Sequence, residues 1–156
     1  MLNRMRQLSR QERRDLWPAL WRLACVRASL LTRGIRGTLM RCGGTASGLD
    51  PALDKDDLQT WRRRALAFRR TARLIPQARC LARSLALRWW MRSHGIQAEL
   101  KIGVRKTNGQ IDSHSWVIVG NTPIDETPDN TAGYQVIQTE SESSVSIETL
   151  ESRQSL

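Results

Sequence analysis

Residues 77–104, QARCLARSLALRWWMRSHGIQAELKIGV, change their period halfway. From Gln77 to His94 the apolar residues recur at helical spacing, with Leu81, Leu85 and Trp89 on one stripe and Cys80, Ser84 and Leu87 on the next. Pro76 precedes the run and Gly95 follows it, which is how a helix is opened and closed. Beyond Gly95, Ala98, Leu100, Ile102 and Val104 alternate with Glu99, Lys101 and Gly103, the period-two pattern of a strand. Asn108-Gly109 is a strong hairpin signal, and a second strand is expected over Ile111 to Val119. Gly120-Asn121 marks another turn, followed by a third strand over Thr122 to Thr127 and a fourth over Tyr134 to Ile137. One helix followed by an antiparallel sheet makes this half of the chain α+β.

Upstream, residues 9–41 read as helical. Ser9 and Glu12 form a capping box, and Leu16, Leu20, Leu23 and Ala24 keep helical spacing with Trp17 and Trp21 beside them, although Gly34 and Gly37 weaken the pattern. Residues 42–48 are a Gly-rich connector. A second helix is expected from Asp50-Pro51 or Asp54 to about Leu74, acidic in its first turn and Arg-rich in its last, the order the helix dipole favours. Three segments result: 1–48, helical with a flexible connector; 49–137, the mixed domain; and 138–156, a Ser/Glu-rich tail expected to be poorly ordered.

Charge is divided just as sharply. Residues 1–106 hold 24 of the 25 Lys and Arg but 7 of the 15 acidic residues. An anionic partner for the first part would explain this, and so would a solvated basic helical face. The three cysteines, Cys25, Cys42 and Cys80, are odd in number and form no C-x-x-C, and with two histidines there is no zinc spacing. This argues against a disulfide framework and a metal site, and favours a reducing, cytoplasmic setting. The basic start leads into no clean apolar core of a signal peptide, and residues 16–31 carry Arg22 and Arg27, so no transmembrane segment is expected.

Cys80 falls in the first turn of its helix, where free N–H groups and the dipole favour thiolate and could hold an oxyanion. His114 lies mid-strand, and Asp125 follows one tight turn later. Antiparallel pairing about Gly120-Asn121 would bring the two together, the carboxylate fixing the imidazole tautomer and the imidazole taking the thiol proton. The rivals are weaker. His94 sits roughly 20 Å along the helix from Cys80. Asp112 shares a strand face with His114, and Asp129 lies beyond the expected strand. Gln77, three residues before Cys80, could donate to an oxyanion or be an ordinary exposed residue. Leu81 could line a substrate cleft, and Trp116 could wall one or simply pack.

Cys80-Leu81-Ala82-Arg83-Ser84-Leu85-Ala86-Leu87, Gly95-Ile96-Gln97-Ala98-Glu99-Leu100, Ile102-Gly103-Val104-Arg105 and His114-Ser115-Trp116-Val117 resemble the transglutaminase-like leader peptidases of lasso-peptide biosynthesis over about residues 74–128. His-x-Trp-Val and Asp-x-Thr patterns are shared with the wider superfamily. The resemblance implies a papain-like cysteine protease core with an N-terminal helical extension, and a triad of Cys80, His114 and Asp125. It implies cleavage of a precursor peptide between leader and core before an asparagine-synthetase-like cyclase closes the macrolactam. No winged-helix recognition pattern precedes the core, so a separate leader-recognition protein is expected. ATP dependence is associated with fused relatives, but no G-x-x-x-x-G-K loop occurs and no cofactor is expected. The connector Thr107–Ser113 and the residues after Asp129 depart from the family. Two other readings stand beside the peptidase: amine transfer by the same triad, and a non-enzymatic basic module binding peptide or nucleic acid through Arg62, Arg63, Arg64, Arg69 and Arg70. The absence of any familiar nucleic-acid motif makes nucleic acid the poorer partner.

Overall fold

A computed structural model of the chain describes residues 8–42, 53–107 and 109–139. Its element order is α1 (Arg10–Cys42), α2 (Lys55–Thr71) with a 3₁₀ turn at Ala72–Leu74, α3 (Cys80–Arg92), β1 (Glu99–Thr107), β2 (Gln110–Val119), β3 (Thr122–Pro123), α4 (Pro128–Ala132) and β4 (Gln135–Thr139). The α+β character is as expected.

The helix starts follow local chemistry. Ser9 N–H donates to Glu12 Oε2 at 2.8 Å and Glu12 N–H to Ser9 Oγ at 3.1 Å, a closed capping box at the head of α1. Asp54 caps α2 by accepting from Asp57 N–H at 2.7 Å; the alternative start at Asp50-Pro51 and most of the Gly-rich connector lie outside the described residues. Gly34 kinks α1, its φ of 67° being one that glycine adopts without strain. Thr38 Oγ1 and the Gly34 carbonyl, 2.7 Å apart, tie the two halves across the kink.

A single core joins the helices to the sheet. Ala19, Leu23 and Val26 of α1 are fully buried, as are Leu85, Ala86 and Met91 of α3 and Val117 of β2. Between α2 and α3, Trp90 meets Trp61 and Phe68 edge to face, with ring centroids 6.0 and 5.9 Å apart. Ion pairs stitch α1 to α2: Asp15 to Arg63 at 2.9 Å, and Glu12 to Arg70 at 2.9 Å. The amino-terminal helix is thus packed into the body that carries the candidate site.

The sheet is antiparallel throughout, in the order β3-β2-β1-β4. Thr107 pairs with Gln110, so the hairpin closes through two residues, with Gly109 at φ 80°; Asn108 itself is outside the described residues. Leu100 opposite Val117 belongs to the core, and by strand alternation His114 and Trp116 turn to the other side. Gly103 pairs with His114, where a Cβ would stand 2.9 Å from the Trp116 ring and from Tyr134 Cβ. Only glycine leaves room for those rings.

Four expectations need correction. The third helix starts at Cys80 rather than Gln77, because Gln77 has φ 57°, outside the right-handed helical region. The third strand ends at Pro123, not Thr127; Ile124 N–H still donates to the Val117 carbonyl at 2.9 Å, but the Val117 N–H goes to the Asp125 side chain instead of a strand carbonyl, and the chain bends away over 124–126. Helix α4, capped by Thr127 with Pro128 behind it, was not anticipated. Strand β4 runs on through Thr139, so the tail's first two residues belong to the sheet; residues 140–156 lie outside the described residues.

Candidate active site

Cys80 is the first helical residue of α3, and its N-cap, Arg79, supplies no side-chain hydrogen bond. The first N–H groups of the helix are therefore open to another acceptor. The His114 ring and Ser115 stand near enough to the Cys80 thiol to act on its titration. His114 first, and then Ser115, pull the thiol down from 9.0 to about 7 against the opposing effect of burial. The same interaction, helped by Glu126, raises the pKa of His114. Both shifts favour a thiolate–imidazolium pair near neutral pH.

The carboxylate that meets His114 belongs to Glu126. Its Oε1 lies 3.2 Å from His114 Nε2 and 2.8 Å from Arg69 Nη2, and its Oε2 accepts from Asn130 Nδ2 at 3.3 Å. The Glu126 side chain is 10% exposed, so water screens this pair weakly. Arg69 also donates to the Asp125 carbonyl, which pins the segment to α2.

Asp125 is turned the other way. Its Oδ1 accepts from Val117 N–H at 2.8 Å and its Oδ2 lies 2.9 Å from Ser84 Oγ. Ser84 Oγ also donates to the Ser115 carbonyl at 3.0 Å. A hydroxyl has one proton and here faces two acceptors. If Ser84 spends its proton on the Ser115 carbonyl, the Asp125 contact closes only with a protonated carboxyl donating to Ser84 Oγ. Burial pushes the Asp125 carboxyl up, against the pull of the Val117 and Ser84 hydrogen bonds. Asp125 therefore braces the junction of α3 and β2 and does not contact the imidazole.

The other sequence-nominated residues fall as follows. The Trp116 ring stacks on His114 with centroids 6.1 Å apart and an interplanar angle of 20°, and Tyr134 flanks both, 5.5 Å from His114. Leu81 is half buried against the core. Gln77 is exposed in the loop before Cys80, with its Oε1 accepting from Arg27 Nη2 at 2.6 Å. Asp112 sits at the far end of the hairpin, held by Tyr134 Oη at 2.6 Å and Arg105 at 3.3 Å. Asp129 is in the first turn of α4, and His94 packs edge-on against Trp61 at 5.4 Å. Among the described residues no group of three or more His, Cys, Asp or Glu side chains could hold a metal, and no helix is long and apolar enough to cross a membrane.

Sequence reasoning missed Glu126, Arg69 and Tyr134. Glu126 stood next to the nominated acid, but strand alternation, the signal that would choose between neighbours, stops at Pro123. Tyr134, the chain's one tyrosine, had no local motif.

A family model described as the transglutaminase-like superfamily matches residues 19–139, and so includes most of α1. No curated protein and no solved structure matches the chain.

Proposed function

The chain belongs to the transglutaminase-like superfamily, and on that premise we propose that it is a cysteine peptidase that removes the leader from a lasso-peptide precursor. The observation that carries the proposal is the Cys80 thiol at the head of α3, its titration coupled to that of His114, whose Nε2 meets the Arg69-held carboxylate of Glu126. A helix presenting the nucleophile to a base on an antiparallel sheet supports reading the core as papain-like.

The proposed steps use groups of this chain and water. The Cys80 thiolate attacks the scissile carbonyl carbon, and the first N–H groups of α3 take the developing oxyanion. The His114 imidazolium gives its proton to the departing amine as the C–N bond breaks, leaving an acyl thioester on Cys80. His114, neutral again, takes a proton from water, which attacks the thioester; the acid leaves and the thiol is restored. Glu126 holds the imidazole by Nε2 and offsets its positive charge, the role assigned to Asp125 on the sequence. Trp116 and Tyr134 wall the site on the sheet side.

The partners follow from the same reading: the precursor peptide, a separate leader-recognition protein, and the asparagine-synthetase-like cyclase that uses the product, all in the cytoplasm, where Cys25, Cys42 and Cys80 stay free. Trp17 and Trp21 of α1 are 72% and 61% exposed among arginines, which suits docking of the recognition protein. Nucleic acid is not among the proposed partners.

The test is mass spectrometry of the precursor encoded beside the gene, incubated with the recognition protein and either wild type or Cys80→Ala. Cleavage at one leader–core junction by wild type alone is the expected result. Cleavage by Cys80→Ala would end the catalytic assignment, and an amine adduct in place of the free acid would make the enzyme a transferase.

A further inference from the structure

The loop 75–79 sets the direction of the nucleophile, because α3 begins at Cys80 immediately after it. Two features of this loop are unusual. Gln77 has φ 57°, a left-handed conformation that side-chain-bearing residues seldom adopt and that concentrates at functional sites. Its anchor is remote in sequence. Arg27, 50 residues earlier on α1, donates from Nη2 to Gln77 Oε1 at 2.6 Å and from Nε to the Pro76 carbonyl at 3.4 Å. The Arg79 N–H donates to the Gln77 carbonyl at 2.8 Å, which folds the loop tightly back towards the start of α3.

A primary amide has one acceptor oxygen and two N–H donors. With Oε1 held by a guanidinium, the Gln77 side chain can serve a ligand only by donating from Nε2, and the cation polarises those N–H bonds further. Gln77 is exposed, so its N–H donors are accessible. Gln77 stands three positions before Cys80, so their Cα atoms are at most about 10 Å apart at full extension and closer across the tight turn. Cys80 is itself the head of α3.

We propose that Arg27 is a positioning residue of the active site: it locks Pro76 and Gln77 so that the Gln77 amide donates, with the head of α3, to the oxyanion formed at Cys80. This rests on the acyl-transfer reading above. It makes the amino-terminal helix part of the catalytic apparatus, so whatever docks on α1 has a mechanical route to the nucleophile.

Two electrophiles that share the thiolate separate the roles. With p-nitrophenyl acetate the sulfur bonds to the carbonyl carbon through an oxyanion, and p-nitrophenolate leaves with the electron pair of the broken C–O bond. With iodoacetamide the sulfur displaces iodide and no oxyanion forms. The full chain is compared as wild type, Arg27→Met, Arg27→Lys, Gln77→Ala and the Arg27→Met/Gln77→Ala pair. Acylation is expected to fall about tenfold or more in Arg27→Met and in Gln77→Ala, with alkylation within about twofold of wild type. Arg27→Lys should recover part of the loss, and the double variant should be no slower than the slower single variant, since both act through one amide. The proposal is overturned if Arg27→Met acylates like wild type, if the two losses multiply, or if acylation and alkylation fall together. A wild type that is alkylated but never acylated overturns the acyl-transfer reading itself.

Discussion

The inner and outer sides of the segment after β3 hold one acid each, and the two do opposite work. On the inner side Asp125 meets a strand N–H and the Ser84 hydroxyl and is driven towards its neutral form by burial. On the outer side Glu126 meets His114 and Arg69, two groups that carry or can carry positive charge. The difference is one of partners rather than residue type, since both are carboxylic acids. An acid among dipoles becomes a structural hydrogen-bonding group, and an acid between cations stays a counter-ion.

Breaking the outer side should cost activity. Cys80→Ala removes the proposed nucleophile, and thioester formation should vanish, which intact-protein mass spectrometry after p-nitrophenyl acetate reads directly. Glu126→Gln keeps the size of the side chain but removes its charge, and acylation should fall on the order of 10²-fold or more while the melting temperature moves little. If Asp125→Asn produced that fall instead, the two sides would have been assigned the wrong way round.

Breaking the inner side should cost stability. Asp125→Ala leaves the Val117 N–H without its partner, and urea unfolding should show a loss of about 1–3 kcal/mol. Asp125→Asn is the sharper variant. The amide can accept from Val117 and donate to Ser84, as a protonated acid would, so stability should stay within about 1 kcal/mol of wild type and acylation should continue.

The pH dependence sharpens the contrast further. Thiolate rises with pH, and with the Cys80 pKa at about 7 the alkylation rate should be half-maximal near that pH rather than near 9.0. Glu126→Gln takes away a group that raises the His114 pKa. The imidazolium then loses its proton at lower pH, its support for the thiolate weakens, and the alkylation midpoint should move up. Asp125→Asn should leave the midpoint in place. The smallest effect is expected at the hairpin end, where Arg105 and Asp112 form a pair with side chains 43% and 54% exposed; Arg105→Ala should leave the urea midpoint nearly unchanged.

Much of this frame was legible in the chain. The capping box at Ser9 and Glu12, the cap at Asp54, the change of period after Gly95 and the Asn108-Gly109 signal are local features whose partners lie within a few residues, so their physics is contained in the sequence. Cys80 and His114 were legible too, one opening a helix and the other on a strand that the hairpin sets alongside its neighbour.

What only the tertiary structure decided was the third group and the bracing around it. Alternation assigns a side for as long as a strand is paired, and β3 is paired for two residues. Past Pro123 the side each acid takes depends on Arg69 from α2 and Ser84 from α3, contacts 56 and 41 residues away in the chain. The grip of Arg27 on Gln77 spans 50 residues in the same way. Periodicity and capping are short-range, so sequence determined most of the elements and put Cys80 at a helix head and His114 on a strand; the packing of three helices determined which carboxylate meets His114 and what holds the loop before Cys80.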